Sequence, residues 1–190
     1  MAHSFLDSED VLKQQVLSVR IVAMNILAGR EHSIVELRHK LHQKLMWRLN
    51  RKQKSDSLAD SVLCADSDSD FKVRSDSNAS QEALIETVLA QLLDDNLLNE
   101  KRFTECFIRS RIAKGSGPIK IRHELMKRGI PNDLISDFLD ESVEFWQQHI
   151  KKVHDKRFGD CLPDNAKEQN KRSRFLYQRG FSGELIRLFL

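Results

Sequence analysis

Two stretches near one end of this chain repeat each other without a gap at an offset of 51 positions. Residues 121–139 read IRHELMKRGIPNDLISDFL and residues 172–190 read RSRFLYQRGFSGELIRLFL. They coincide at Leu125/Leu176, Arg128/Arg179, Gly129/Gly180, Leu134/Leu185, Ile135/Ile186, Phe138/Phe189 and Leu139/Leu190. Upstream, Leu84, Ile85, Val88 and Leu89 restate the second half of the same pattern. A fixed period of about 50 residues indicates a repeat architecture, in which each unit buries its apolar face against a neighbour. That constraint comes before any single motif.

The repeat parses into helices. Gly129 and Gly180 each follow a helical stretch with Arg in its last turn. This is the pattern of a helix closed by a left-handed glycine, with a cation at the negative end of its dipole. Pro131-Asn132 and Ser182 open the next helix, Ser182 as its N-cap. There the apolar residues fall at i, i+1, i+4 and i+5, one stripe at the helical period. An earlier helix runs from an N-cap at Asn99 through residues 100–114 to a stop at Gly115, and Pro118 begins the one after it. Each unit is therefore three helices.

The first unit follows the same plan. A helix over residues 9–28 stops at Gly29, and Ser33-Ile34-Val35-Glu36 is a capping box that places Leu37, Leu41 and Leu45 on one side of the next helix. The third helix begins after Ser80 and turns Leu84, Ile85, Val88, Leu89 and Leu92 inward. Between them, residues 48–79 alternate Ser with Asp and hold few apolar side chains. Such a composition buries too little to offset the entropy of ordering. It reads as a disordered insertion, tolerated rather than used, with a phosphorylatable regulatory segment as the alternative. The expected fold is all-α, three tandem three-helix units stacked into an elongated, curved array, with units at 1–98, 99–148 and 149–190.

Charge bears on function. The net charge of +3 hides segregation: residues 81–100 and 131–150 each carry five acids and no Lys or Arg. Residues 101–130 carry nine bases against two acids, and residues 151–190 carry ten against five. Stacked units would align the basic helices into a stripe, which points to a polyanionic partner, either nucleic acid or an acidic protein surface. The competing reading is a solvated face that only maintains solubility.

Other chemistry finds little support. Gly115-Ser116-Gly117-Pro118 lacks the P-loop pattern, and reads as an interhelical turn before it reads as an amide cradle for phosphate. His39 and His42 share a helix face without further ligands at metal spacing. Trp47, Phe145 and Trp146 read as core anchors rather than stacking platforms. No nucleophile motif is present, so nothing points to an enzyme or a cofactor. Cys64, Cys106 and Cys161 form no paired motif, which suits a reducing cytoplasm. No stretch reads as a signal peptide or a membrane span.

A set of short motifs runs along the chain: Ala28-Gly29-Arg30-Glu31-His32-Ser33 with Glu36-Leu37, then Leu97-Leu98-Asn99-Glu100-Lys101-Arg102-Phe103. It continues through Gly115-Ser116-Gly117-Pro118, Ile121, Leu125 and Lys127-Arg128-Gly129-Ile130, and closes with Arg174-Phe175-Leu176 and Arg179-Gly180-Phe181-Ser182. No one of these is specific; their order and spacing together are. In them the chain resembles the RecX family of bacterial regulators of the RecA recombinase. The resemblance implies an all-helical stack of three-helix repeats. It further implies binding in the groove of the RecA–single-stranded DNA filament, restraining ATPase, strand exchange and coprotease activity, with no catalytic residues. Two features depart from the family pattern: the insertion, and Leu45 where the other units have glycine.

The candidate filament or DNA contacts are Arg109, Arg111, Lys114, Lys120, Arg122, Lys127, Arg128, Arg172, Arg174 and Arg179. Helix-end roles alone would explain Arg128 and Arg179. The partner expected is the RecA nucleoprotein filament, with single- and double-stranded DNA for a stand-alone helical module; a monomer with no membrane partner is expected.

Overall fold

The computed structural model describes residues 3–56, 70–139, 142–161, 163 and 165–190. Among them the regular elements are all helices: α1 (His3–Leu27), α2 (Ile34–Asp56), α3 (Asp70–Asp94), α4 (Glu100–Ala113), α5 (Pro118–Met126), α6 (Asn132–Phe138), α7 (Val143–Phe158), α8 (Ala166–Arg179) and α9 (Gly183–Phe189). They form three triplets in which the third helix packs against the first: α3 on α1, α6 on α4, α9 on α7. The fold is a tandem helical repeat.

Two boundaries differ from the sequence reading. The helix expected after Ser80 starts at Asp70, and α2 runs on to Asp56, so both helices enter the stretch expected to be a loop. The apolar stripe marks only the part of a helix that is buried, whereas propagation adds one hydrogen bond per residue whether or not the side chain is buried. The centre of the expected insertion, residues 57–69 with Cys64, lies outside the described residues. In addition, α7 begins at Val143, ahead of the expected boundary after residue 148.

The chain divides into two compact units, Met1–Asn99 and Glu100–Leu190. In the first, α3 packs on both α1 and α2 around Val19, Val22, Ala23, Leu37, Leu41, Ile85, Val88, Leu89 and Leu92. Ser33 Oγ accepts from the Glu36 amide at 3.1 Å, the first half of the predicted capping box. Arg38 clasps Glu86 across α2 and α3 through two bonds of 2.6 and 3.0 Å. That fork holds the Glu86 carboxyl below its usual range, the hydrogen bond from Arg38 being the main cause. His42 pairs with Glu82, and His39 lies 2.9 Å from the Gln43 amide nitrogen, so both histidines have protein partners. Trp47 is 60% exposed, which corrects its reading as a core anchor: the inward stripe of α2 passes through Leu37 and Leu41.

The second unit contains the second and third triplets around one apolar cluster. The repeat-matched pairs behave alike. Leu125 and Leu176 are both fully buried, as are Ile135 and Ile186 to within a few per cent, while Phe138 and Phe189 pack at the edge of the same cluster. Gly129 and Gly180 close their helices at φ +78° and +90°, in the left-handed region that favours glycine. Ser182 Oγ accepts from the Leu185 amide at 3.3 Å as the N-cap of α9.

Backbone joins the two triplets directly. The Gly117 amide donates to the Arg179 carbonyl at 2.8 Å, and the Ile119 amide donates to the Gly180 carbonyl at 3.1 Å. Neither glycine leaves room for a side chain. A Cβ on Gly117 would fall 2.4 Å from the Gly180 oxygen, and one on Gly180 would fall 2.6 Å from the Lys120 nitrogen. The obstacle in each case is main chain, which cannot rotate away.

These contacts predict an order of damage. Gly159 also has a positive φ, +78°, but with ψ −179° it lies outside the left-handed helical well, and nothing lies within 4 Å of its would-be Cβ. Gly159→Ala therefore reports backbone strain alone, about 1–3 kcal/mol in this glycine-only region. Gly180→Ala adds the clash, roughly a further 1–3 kcal/mol or more, and Leu125→Ala should cost about 2–5 kcal/mol as a core truncation. Urea melts test this; a Gly180→Ala loss no larger than the roughly 1–2 kcal/mol of left-handed strain alone would contradict the close approach.

Candidate nucleic-acid interface

The ten basic residues singled out from the sequence fall into two groups once their partners are seen. Arg172 is 3% exposed and belongs to the interior, a correction to its reading as a surface cation. It donates to the Cys161 carbonyl, to Glu168 Oε1 at 2.7 Å and to His154 Nε2 at 3.2 Å, and its guanidinium lies 5.3 Å from the Phe158 ring centre. Because Nε2 of His154 faces a cation and Nδ1 faces Asp155 Oδ1 at 3.1 Å, the ring proton belongs on Nδ1. This cluster ties the α7–α8 connection to both helices. A polar residue in an otherwise amphipathic segment gave no signal of its burial.

Four other arginines are also engaged within the fold. Arg111 pairs with Glu124 at 2.8 Å, and Arg128 donates to the Glu124 carbonyl at 2.6 Å. Both guanidinium groups stand over the Phe107 ring, at 4.8 and 4.7 Å. Arg122 spans from α5 to α6 through Asn132 Oδ1 at 2.6 Å and Ser136 Oγ at 3.1 Å. Arg109 is exposed and 3.7 Å from Glu105, a pairing that water screens strongly. Lys120 and Lys127 are exposed on or just after α5.

Lys114, Arg174 and Arg179 are brought together. Arg179 donates to the Lys114 carbonyl at 3.0 Å, with its guanidinium 5.2 Å from the centre of the Phe175 ring. Lys114 and Arg179 line a cavity of about 540 Å³ with Lys152, Lys156 and Arg157 of α7. No carboxylate lines it among the described residues. An adjoining groove of about 1020 Å³ shares Arg157 and Phe175 with it, and adds Lys167, Lys171 and Arg174 of α8. Among the described residues its one acid, Glu168, is already bonded to Arg172. Eight cations thus border two hollows that share Arg157 and Phe175 in their linings. The α7 lysines and Arg157 were missed although the i, i+4 spacing of Lys152 and Lys156 places them on one face of the helix.

His149 lines the smaller cavity. Burial pushes its pKa below the ordinary 6.5, and the charge of Lys152 pushes the same way, against a hydrogen bond with the Ser116 backbone. Its Nε2 has no hydrogen-bond partner. The Gly115–Pro118 turn beside it holds no phosphate cradle: the Ser116, Gly117 and Ile119 amides are spent on the Arg111, Arg179 and Gly180 carbonyls. The plain interhelical turn is the correct reading.

Among the described residues, no group of three or more His, Cys, Asp or Glu could hold a metal ion. Among them, too, no helix is long and apolar enough to cross a membrane.

Fold and surface together define an all-helical tandem-repeat protein with a cationic groove on its second unit. Residues 99–139 match the family model described as RecX, second three-helix domain, and residues 145–190 match RecX, third three-helix domain. The chain is 32% identical over 176 residues to the regulatory protein RecX of Pseudomonas fluorescens strain SBW25, covering 93% of this chain and 92% of that one. It is 29% identical to the regulatory protein RecX of Halorhodospira halophila, over 90% of this chain and 84% of the relative. Two crystal structures share its fold. RecX from Lactobacillus salivarius has a TM-score of 0.61 at 19% identity, covering 93% of this chain and 95% of that chain, and a second regulatory protein RecX has 0.68 at 16%, covering 100% and 78%. The chain belongs to the RecX family.

The depressed pKa of His149 sets a pH dependence. Near pH 6.5 the unfolded chain takes up a proton that the folded ring refuses, so the unfolded state binds more protons there. Stability is therefore full above that pH and falls as pH drops through it. His32, 1% exposed and lowered chiefly by burial, adds in the same direction. In an NMR titration His149 should titrate below 6.5, and Lys152→Gln should move it upward. A value above 6.5 in the native protein would contradict the assignment.

Proposed function

We propose that this protein is a regulator of RecA that binds the RecA–single-stranded DNA filament and restrains its ATPase, strand exchange and coprotease activities. The supporting observation is the match along nearly the whole chain to proteins named regulatory protein RecX, with 93% of the residues covered at 32% identity. The name is regulatory, and the cationic face of the second unit is suited to a partner dense in negative charge. No step of this role calls for a nucleophile, a metal or a cofactor. Binding that holds neighbouring protomers in one arrangement is enough, because a ligand shifts a conformational equilibrium by its differential affinity for the two states.

The decisive experiment is RecA ATPase on single-stranded DNA with and without the protein, paired with co-sedimentation over a salt series. The turnover rate should fall as the protein is added, and co-sedimentation should weaken as salt rises. Reversal of the exposed pair, Lys120→Glu with Lys127→Glu, should lower the bound fraction while leaving the circular dichroism melt unchanged. An unchanged ATPase at saturating protein, with no co-sedimentation at low salt, would overturn the reading.

A further inference from the structure

We infer that the turn between α1 and α2 is a latch that acid opens, held shut by the neutral ring of buried His32. The ring is 1% exposed and uses both of its nitrogens. Nδ1 lies 2.8 Å from the Arg30 carbonyl, which only accepts, so Nδ1 carries the proton and donates it. Nε2 lies 2.8 Å from Nζ of Lys40, an ammonium that only donates, so Nε2 accepts. One side chain thus ties the interhelical turn to the second turn of α2. Two further contacts cross the same few residues: the Glu36 amide donates to Ser33 Oγ, and Arg30 pairs with Glu36 at 3.1 Å.

The closed turn has no place for a second proton on the ring. On Nε2 it would set N–H against N–H, and the bond from Lys40 would become a repulsion. Lys40 is half-buried and can swing outward, but the new N–H is then left buried with no acceptor. Neighbouring charges give no relief. Those acting on the ring are Arg30, Lys40 and Glu36, two cations against one acid, and the acid is already paired with Arg30. Where α3 meets α2, Glu82 and Glu86 are held by His42 and Arg38; Asp95, just beyond α3, is held by Arg20 of α1. Opening the turn lets the ring reach water at the cost of bonds that are all local to it. Burial first, and then the two cations, hold the ring's pKa below 6.5 while the turn is closed, and in the open turn it returns to near that value. The open form therefore binds more protons, so the latch is tight above pH 6.5 and loosens as pH falls through it. Residues 1–99 form a compact unit of their own, so the response belongs to the first unit and is separate from that of His149 in the second.

The test is amide hydrogen exchange on the full chain between pH 7.5 and 5, with each rate divided by the unfolded-chain rate at the same pH. The Glu36 and Leu37 amides, which donate to Ser33 Oγ and the Ser33 carbonyl, report the turn, and Ile121 reports the second unit. In wild type, protection at Glu36 and Leu37 should fall by about tenfold or more across that range. Lys40→Arg keeps a donor-only cation and should keep the fall. Lys40→Gln offers an amide that donates to the neutral ring and accepts from the protonated one, so its protection should vary by no more than about twofold. His32→Gln removes the titrating ring and should be equally flat, which keeps the test decisive should Lys40→Gln disturb α2. The Ile121 profile should be the same in all four proteins. A wild type with no fall, or a fall as steep in Lys40→Gln and His32→Gln as in wild type, overturns the inference. A Lys40→Gln change that flattens Ile121 along with Glu36 also overturns it, because the response is then global unfolding.

Discussion

The two hydrogen bonds from Gly117 and Ile119 to the Arg179 and Gly180 carbonyls hold the second unit in its observed form. They bring the start of α5 against the end of α8 with main chain touching main chain, a distance that only glycine permits on either side. From that contact follows the merging of two three-helix triplets into one apolar cluster, in which Trp146 and Phe181 of the third pack with Phe103 and Ile121 of the second. A triplet of this size alone would bury too little surface to be secure. The join also explains why the Gly115–Pro118 turn is not an anion site: its amides are already committed.

The same join positions the cationic groove. Arg179 is the last residue of α8, and its carbonyl belongs to the stitch while its guanidinium bonds the Lys114 carbonyl at the end of α4. One residue thus fixes the backbone on one side and presents charge on the other. The neighbouring basic residues divide by function along physical lines. Those with a carboxylate, carbonyl or ring to satisfy them, such as Arg111, Arg122, Arg128 and Arg172, hold helices together, while Lys152 and Lys156 border the groove. An interaction network inside the fold and a cationic groove at its surface are made from the same residue types.

Much of the fold was legible because the determinants are local or periodic. Left-handed Gly129 and Gly180, the Ser182 cap and the matched pair Leu125/Leu176 all act within a few residues of where the chain shows them. The extensions of α2 and α3 were not legible, since exposed helix carries no apolar stripe. Trp47 was misplaced because size and hydrophobicity suggest burial but do not decide which helix face a residue falls on. The candidate site was only partly legible. Lys114, Arg174 and Arg179 converge on the groove, but Arg172 turns inward and the α7 cations were overlooked. Whether an arginine is engaged or free depends on residues far along the chain, as with Arg179 and Lys114, and spacing along one helix does not contain that information.

Native-state hydrogen exchange at the Gly117 and Ile119 amides tests the central claim most directly. If the stitch makes the second and third triplets one cooperative unit, these amides exchange only through the opening that also releases the buried amides of Ile121 and Leu176, and all four converge on one free energy as denaturant is added. Exchange at Gly117 and Ile119 through a separate, lower-energy opening, with Leu176 still protected, would show the triplets parting independently and would contradict the account.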